Sequence, residues 1–167
     1  MPLRLVNASH DHEGALAQLQ QLYLHDLSEF AGFQPDEDGR FCPSFFVFED
    51  GQQFNLVMLR GIPAGFVCFK PRLGVDNQKE FSLIHLFIVR CYRRLGIGEE
   101  ISRMLFEKYP GAWEVRVLET NEIGTAFMRQ VLRRYTFKQF RELSSYDGRH
   151  RVFEFQSKPN EMFSDPV

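Results

Sequence analysis

The stretch FSLIHLFIVRCYRRLGIGEEISRMLFEKY, Phe81–Tyr109, decides how this chain folds. Its first nine residues, Phe81–Val89, are apolar except for Ser82 and His85, the pattern of a central strand buried on both faces. Arg93 and Arg94 follow, then glycines at 96 and 98. With no Cβ in the way, those glycines let successive backbone N–H groups turn inward at the start of the next helix. From Ile97 the residues Ile97, Ile101, Met104, Leu105 and Tyr109 recur on one helical face. Glu99 and Arg103 stand i,i+4 on that helix, and Pro110 ends it. The order is strand, anion-binding turn, helix, and the anion it suits is phosphate.

Two common phosphate motifs are excluded. The third glycine of G-x-G-x-x-G would fall at Ile101, and no G-x-x-x-x-G-K-[ST] occurs. With 167 residues, 44% of them hydrophobic, the chain suits one core. Residues 1–156 are expected to form a single domain and 157–167 a loose C-terminal tail. A net charge of −2 gives no basic face for nucleic acid, so the local arginines point to a small anion. Cys42, Cys68 and Cys91 are an odd set without metal-ligand spacing, read as free thiols of a reducing compartment with no metal. The N-terminus lacks an apolar leader and no run approaches the ~20 residues of a membrane span. The expectation is a cytoplasmic protein with no membrane partner. The 18 phenylalanines are scattered through the predicted elements and are read as core.

Around the central stretch, Leu3–Val6 reads as a strand and Ala15–Phe30 as a helix with Leu16, Leu19, Tyr23, Leu27 and Phe30 on one face. His25, Asp26 and Glu29 lie on its other face. Residues 31–50 read as a connection with room for a short helix. Phe54–Arg60 and Ala64–Lys70 form a hairpin joined at Gly61-Ile62-Pro63. Trp113–Leu118 alternates as a strand, and Asn121 caps a helix to Arg134 whose Ile123, Ala126, Phe127 and Val131 face the core. Tyr135–Leu143 and Arg151–Gln156 are the last strands, joined through Asp147-Gly148. The sum is an α/β chain: a mixed sheet with helices on both faces.

Arg93-x-x-Gly96-x-Gly98 directly after a strand, approached through LFIVRCYRRLGIG and preceded by IPAGFVCF, resembles the GNAT superfamily of acyl-CoA-dependent N-acyltransferases. In that family a [QR]-x-x-G-x-[GA] turn binds the coenzyme A pyrophosphate. The resemblance implies a mixed, mostly antiparallel sheet whose central strand pair splays apart. The pantetheine arm would insert there and pair with backbone at Phe87, Ile88 and Val89, with the N–H of Ile88 or its neighbour stabilising the oxyanion. The pyrophosphate would rest on the N–H groups of Arg94, Leu95, Gly96, Ile97, Gly98 and Glu99, with charge from Arg93 and Arg94. Glu99 and Glu100 would face away, Arg103 lying against Glu99. Asn121 matches the family's pantetheine-contacting Asn, and a plain helix cap is the alternative reading. In NEIGTAFM, Phe127 keeps the family pattern N-x-x-A-x-x-F-Y, but Met128 replaces the tyrosine that supplies the general acid. A thioether donates no proton. Tyr135, Tyr146, water or unassisted departure of the thiolate remain.

An alkylamine has a pKa of about 10.4 and attacks only when neutral, so a base is useful. His85 is the first candidate and Glu80 the second. Tyr23 and Asp26, with His25, Glu29 and Asp36–Asp38, would give the acceptor site an acidic wall suited to a cationic amine. The implied activity moves an acetyl group from acetyl-CoA, the cosubstrate, to a primary amine on a small molecule or on a peptide or protein terminus. Attack is direct, in a ternary complex, because no cysteine is placed as a nucleophile and Cys91 is incidental. A noncatalytic acyl-CoA-binding module and an interaction domain with a fortuitous Gly-x-Gly turn are the alternatives, and the chain is expected to be a monomer or homodimer.

Overall fold

The computed structural model describes residues 2–41, 51–75 and 77–158. Seven strands form one sheet: β1 (Leu3–Asn7), β2 (Gln53–Leu59), β3 (Ile62–Leu73), β4 (Lys79–Ile88), β5 (Gly111–Leu118), β6 (Phe140–Ser144) and β7 (His150–Ser157). Three helices accompany it: α1 (Glu13–Ala31), α2 (Ile97–Lys108) and α3 (Glu122–Tyr135). The strand order is β1-β2-β3-β4-β5-β7-β6, antiparallel everywhere except between β4 and β5. This is the mixed, mostly antiparallel sheet expected from the sequence.

Strand alternation sends side chains into two cores, one per face. On one face α1 brings Leu16, Leu19 and Leu24 against Phe54, Leu56, Phe66, Cys68 and Phe87. On the other, α2 and α3 bring Ile101, Leu105, Phe106, Val131 and Leu132 against Val57, Phe69, Trp113, Val115 and Phe153. Phenylalanines enter both cores, as their scatter through the strands implied.

β4 and β5 pair only from Glu80↔Ala112 to Leu83↔Val115. Past that point each strand follows its other neighbour. β4 stays with β3 through Gly65↔Ile88, while β5 remains paired with β7 as far as Leu118↔His150. Gly65 permits this, since a Cβ there would lie 2.0 Å from the Phe87 carbonyl oxygen. A bulge opposite Cys68 and Phe69 leaves Ile84 as an extra residue in β4 and turns its last part away from β5. The central pair therefore splays.

Four local expectations are corrected. The β2–β3 turn is Arg60-Gly61, both at positive φ (53° and 81°), which is the two-residue hairpin geometry, and Ile62 and Pro63 already belong to β3. In α3 the buried residues are Met128, Val131 and Leu132, while Ile123 is 76% exposed and Ala126 is also outside. Tyr135 closes α3 rather than opening β6, because Phe137 and Lys138 make a left-handed turn (φ 52° and 71°) between them. On α2, Arg103 pairs with Glu100 and Glu107, and Glu99 pairs instead with Arg134 of α3 at 2.7 Å. Cys42, most of the second half of the 31–50 connection and the tail beyond Lys158 lie outside the described residues.

Candidate active site

The splay opens a cleft of about 760 Å³ between the ends of β4 and β5. Alternation divides its walls. Leu83, Leu86, Val115, Val117, Phe127 and Met128 line it from the core shared with α2 and α3. Tyr23 and Ile84, from the α1 core, line the opposite side together with Leu27, Ala31 and Phe33. Glu114, Arg116 and Leu118 alternate with Trp113, Val115 and Val117 and so face the α1 side, as does His150, paired with Leu118. The cleft thus passes through the sheet, apolar on one side and mixed on the other.

Phe87 and Ile88 end β4, and the N–H of the next residue, Val89, donates to Ala64 O at 2.9 Å. Beyond them a short 3₁₀ turn, Arg90–Tyr92, leads to Arg93, Arg94 (φ 61°), Leu95 and Gly96 (φ 79°), and Gly96 is the N-cap of α2. Among the described residues no side chain caps α2, and the N–H groups of its first turn, Ile97, Gly98 and Glu99, lack partners within the helix. A Cβ on Gly98 would sit 3.0 Å from the Phe127 ring, at the edge of the cleft. Glu99 is drawn toward α3 by Arg134 and Glu100 is held by Arg103, so neither carboxylate is left uncompensated beside the open amides. The end of α2 is chemically ready for an anion.

Arg93 does not contribute a loose positive charge there. Its Nε donates to Ile88 O at 2.7 Å, its terminal nitrogen bonds Asp26, and its guanidinium lies 5.5 Å from the centre of the Phe87 ring. Arg90 donates to the same carboxylate, at 3.0 and 2.6 Å. Burial alone would raise the Asp26 pKa, but the hydrogen bonds and charges of Arg90 and Arg93 hold it below the usual range. Asp26, expected in the acceptor wall, therefore ties α1 to the turn. Arg94, exposed like Arg90 and Arg93, differs from them in forming no ion pair among the described residues.

His85 lines the cleft at the bulge, with Nδ1 3.0 Å from the Tyr23 hydroxyl. The Tyr23 ring packs edge-on against His85, Phe66 and Phe87. Burial pushes the His85 pKa down to about 4 and the Tyr23 phenol up, with Cys68 adding to the rise, so both are neutral across the physiological range. The sign for stability follows. Below pH 6.5 the unfolded imidazole binds a proton that the folded one refuses until about pH 4. Stability is therefore lost as pH falls from 6.5 to 4, by at most about 3 kcal/mol. Denaturant titrations at pH 7 and pH 4.5 are expected to show a larger drop for the parent than for His85→Gln, and equal drops would contradict a buried neutral His85.

Glu80 sits at the start of β4, its carboxylate against Gly74 in the β3–β4 turn and outside the cleft lining. Asn121 both lines the cleft and caps α3, its Oδ1 accepting from Gly124 N at 2.8 Å. Met128 is buried in the lining. Tyr135 packs against Phe106 and Phe155 in the α2–α3 core, and Tyr146 stands fully exposed on the last hairpin, so neither lines the cleft. Asp36 accepts from Asp38 N and Arg40 N in its own turn. Arg72, Ser82, Glu114, Arg116 and His150 line the cleft without having been singled out in the sequence. The alternation of Glu114 and Arg116 signalled only a shared face. Among the described residues no group of three His, Cys, Asp or Glu is placed to hold a metal, and no helix is long and apolar enough to cross a membrane.

No family model and no curated protein matches the sequence. Solved structures do match. A GNAT-family acetyltransferase from Staphylococcus aureus superposes with a TM-score of 0.61 at 15% identity, over 93% of this chain and 99% of that one. An acetyltransferase from Thermus thermophilus gives 0.61 at 16% identity, over 93% and 97%. Arabidopsis thaliana NAA60, solved with a bisubstrate analogue, gives 0.56 at 16% identity, over 95% and 98%. A sheet splayed between β4 and β5, a glycine turn opening α2 and this set of neighbours lead to one conclusion: the chain has the fold of the GNAT superfamily.

Proposed function

We propose that the protein is an N-acetyltransferase that moves an acetyl group from acetyl-CoA to a primary amine. The observation that carries this reading is the cleft through the sheet, whose lining residue Phe127 stands against Gly98 in the uncapped first turn of α2. Acetyl-CoA enters from the side of α2 and α3. Its pyrophosphate rests on the N–H groups from Arg94 to Glu99, with Arg94 supplying charge, and its pantetheine arm runs along Val117, Phe127 and Asn121. Arg93 serves differently, since its bond to Ile88 O fixes the end of β4 where the thioester lies.

The amine approaches from the α1 side, beside Tyr23 and His85. As its lone pair forms the C–N bond, the Ile88 N–H stabilises the oxyanion and a proton leaves nitrogen for the Tyr23 oxygen. Tyr23 passes its own proton to His85 Nδ1, across the 3.0 Å contact. Collapse then breaks the C–S bond with the electron pair on sulfur, and the imidazolium returns the proton to the thiolate by the same route. The same Tyr23–His85 pair handles both transfers, so the tyrosine missing at Met128 is not required. A thiol pKa of about 8.5 keeps the departing thiolate tolerable meanwhile.

The reading is tested by incubating the protein with acetyl-CoA and a panel of primary amines, with free thiol and acetylated product as readouts. Amine-dependent release of one thiol per amide formed is expected. Acetyl-CoA binding with no turnover on any amine would favour the noncatalytic module.

A further inference from the structure

The charges lining the acceptor half of the cleft are not those an acidic wall requires. Asp26 is neutralised by Arg90 and Arg93, Asp36 closes its own turn, and Glu29 and Glu80 are outside the lining. Among the described residues the lining holds a single carboxylate, Glu114, against two guanidinium groups, Arg72 and Arg116. Glu114 is already engaged, receiving a hydrogen bond from Arg116 Nε at 2.9 Å. That bond uses Nε, so the terminal nitrogens of Arg116 stand outside it. Arg72 forms no ion pair among the described residues.

Both arginines belong on the side where the amine would enter. In β3, Phe69 points into the α2–α3 core and Phe66 and Cys68 into the α1 core, so alternation carries Arg72 to the α1 side. In β5 the same rule places Arg116 there, opposite Val115 and Val117. Around them the walls supplied by Leu27, Ala31 and Phe33 are apolar, which strengthens any charge interaction at the mouth. A cationic substrate would meet two like charges and one carboxylate already paired. An anionic group would find one guanidinium with no ion pair among the described residues and a second with donors to spare.

Resting on the acetyltransferase reading above, the geometry points to an acceptor amine that also carries a carboxylate, held by Arg72 and Arg116, rather than to a polyamine or other cationic amine. Amines that carry a carboxylate are the class that fits, and the register, which sets Arg72 opposite Glu80 in β4, leaves the spacer length to the assay. Arg72 and Arg116 are specificity-determining residues in this assignment and take no part in the proton transfers.

The test compares amines of matched length in the thiol-release assay: ω-amino acids of two to six carbons, α-amino acids and their amides, simple alkylamines and diamines. The best carboxylate-bearing amine is expected to exceed its uncharged counterpart in kcat/KM by about 10-fold, and the diamine by more. Arg72→Gln and Arg116→Gln are expected to shrink that gap through KM, with acetyl-CoA affinity unchanged, and Glu114→Gln to widen it. Both arginines are exposed, so the variants are expected to fold, and their thermal unfolding checks this. A diamine or alkylamine as the best acceptor, or a ranking untouched by both arginine variants, overturns the inference while leaving the acetyltransferase reading intact. A parent that binds no acetyl-CoA and turns over no amine fails the earlier reading instead.

Discussion

Gly98→Val is expected to weaken acetyl-CoA binding by about 100-fold or more, the loss of roughly two charge-assisted hydrogen bonds to the pyrophosphate. Gly98 is the second residue of α2, and its N–H belongs to the uncapped turn. A Cβ alone would stand 3.0 and 3.3 Å from two atoms of the Phe127 ring, closer than such contacts ordinarily fall. The two γ-methyls of valine extend further, so the ring must move into the cleft or the methyls must cover the amides. Either outcome obstructs the coenzyme path. Phe127 is only partly buried and has room to give, and the backbone at Gly98 is helical, so the fold should survive with a modest loss from β-branching. Calorimetry of acetyl-CoA binding, with a thermal melt as control, checks this. Parent-like affinity in the folded variant would remove the α2 turn from the coenzyme site.

The second large effect concerns Tyr23 and His85. Tyr23→Phe removes only the hydroxyl 3.0 Å from His85 Nδ1, and His85→Gln removes the group that takes the proton. Each is expected to lower kcat by about 100-fold, the usual worth of a positioned acid–base group. Because both act in one relay, the double variant should lose little more than either single one, and acetyl-CoA affinity should not change. The pH dependence separates this from a packing role. With the His85 pKa near 4, the parent kcat should show no titration near pH 6.5, while kcat/KM for the amine should rise with pH as the free amine does. Additive losses, or a Tyr23→Phe variant with parent kcat, would show that the pair only packs the α1 core.

The legible part of the sequence was local. Phe81–Ile88 and Ile97–Lys108 are visible because an unbroken apolar run and a 3.6-residue period are properties of adjacent residues. The glycine turn between them is local for the same reason. Long-range partnership is what the sequence conceals. Arg93 and Asp26 were assigned to opposite ends of the site, yet they share a salt bridge across 67 positions, and Glu99 reaches Arg134 across 35. No pattern within either segment announces such a pair. In α3 the apolar residues surround the helix, so Ile123 and Ala126 competed with Met128 and Leu132 for the buried face, and packing on β5 decided it. The two arginines of the cleft lining were hidden differently. Arg116 reads as the polar face of an alternating strand, and only the divergence of β4 from β5 turns that face into a cleft wall.

The central claim is that the splay between β4 and β5 and the uncapped start of α2 together receive acetyl-CoA. Calorimetric titration of the intact protein with acetyl-CoA tests it most directly. The account predicts saturable binding at one site per chain, weakened by salt as a pyrophosphate held by charge must be. A folded protein that takes up no acetyl-CoA at any salt concentration would contradict it.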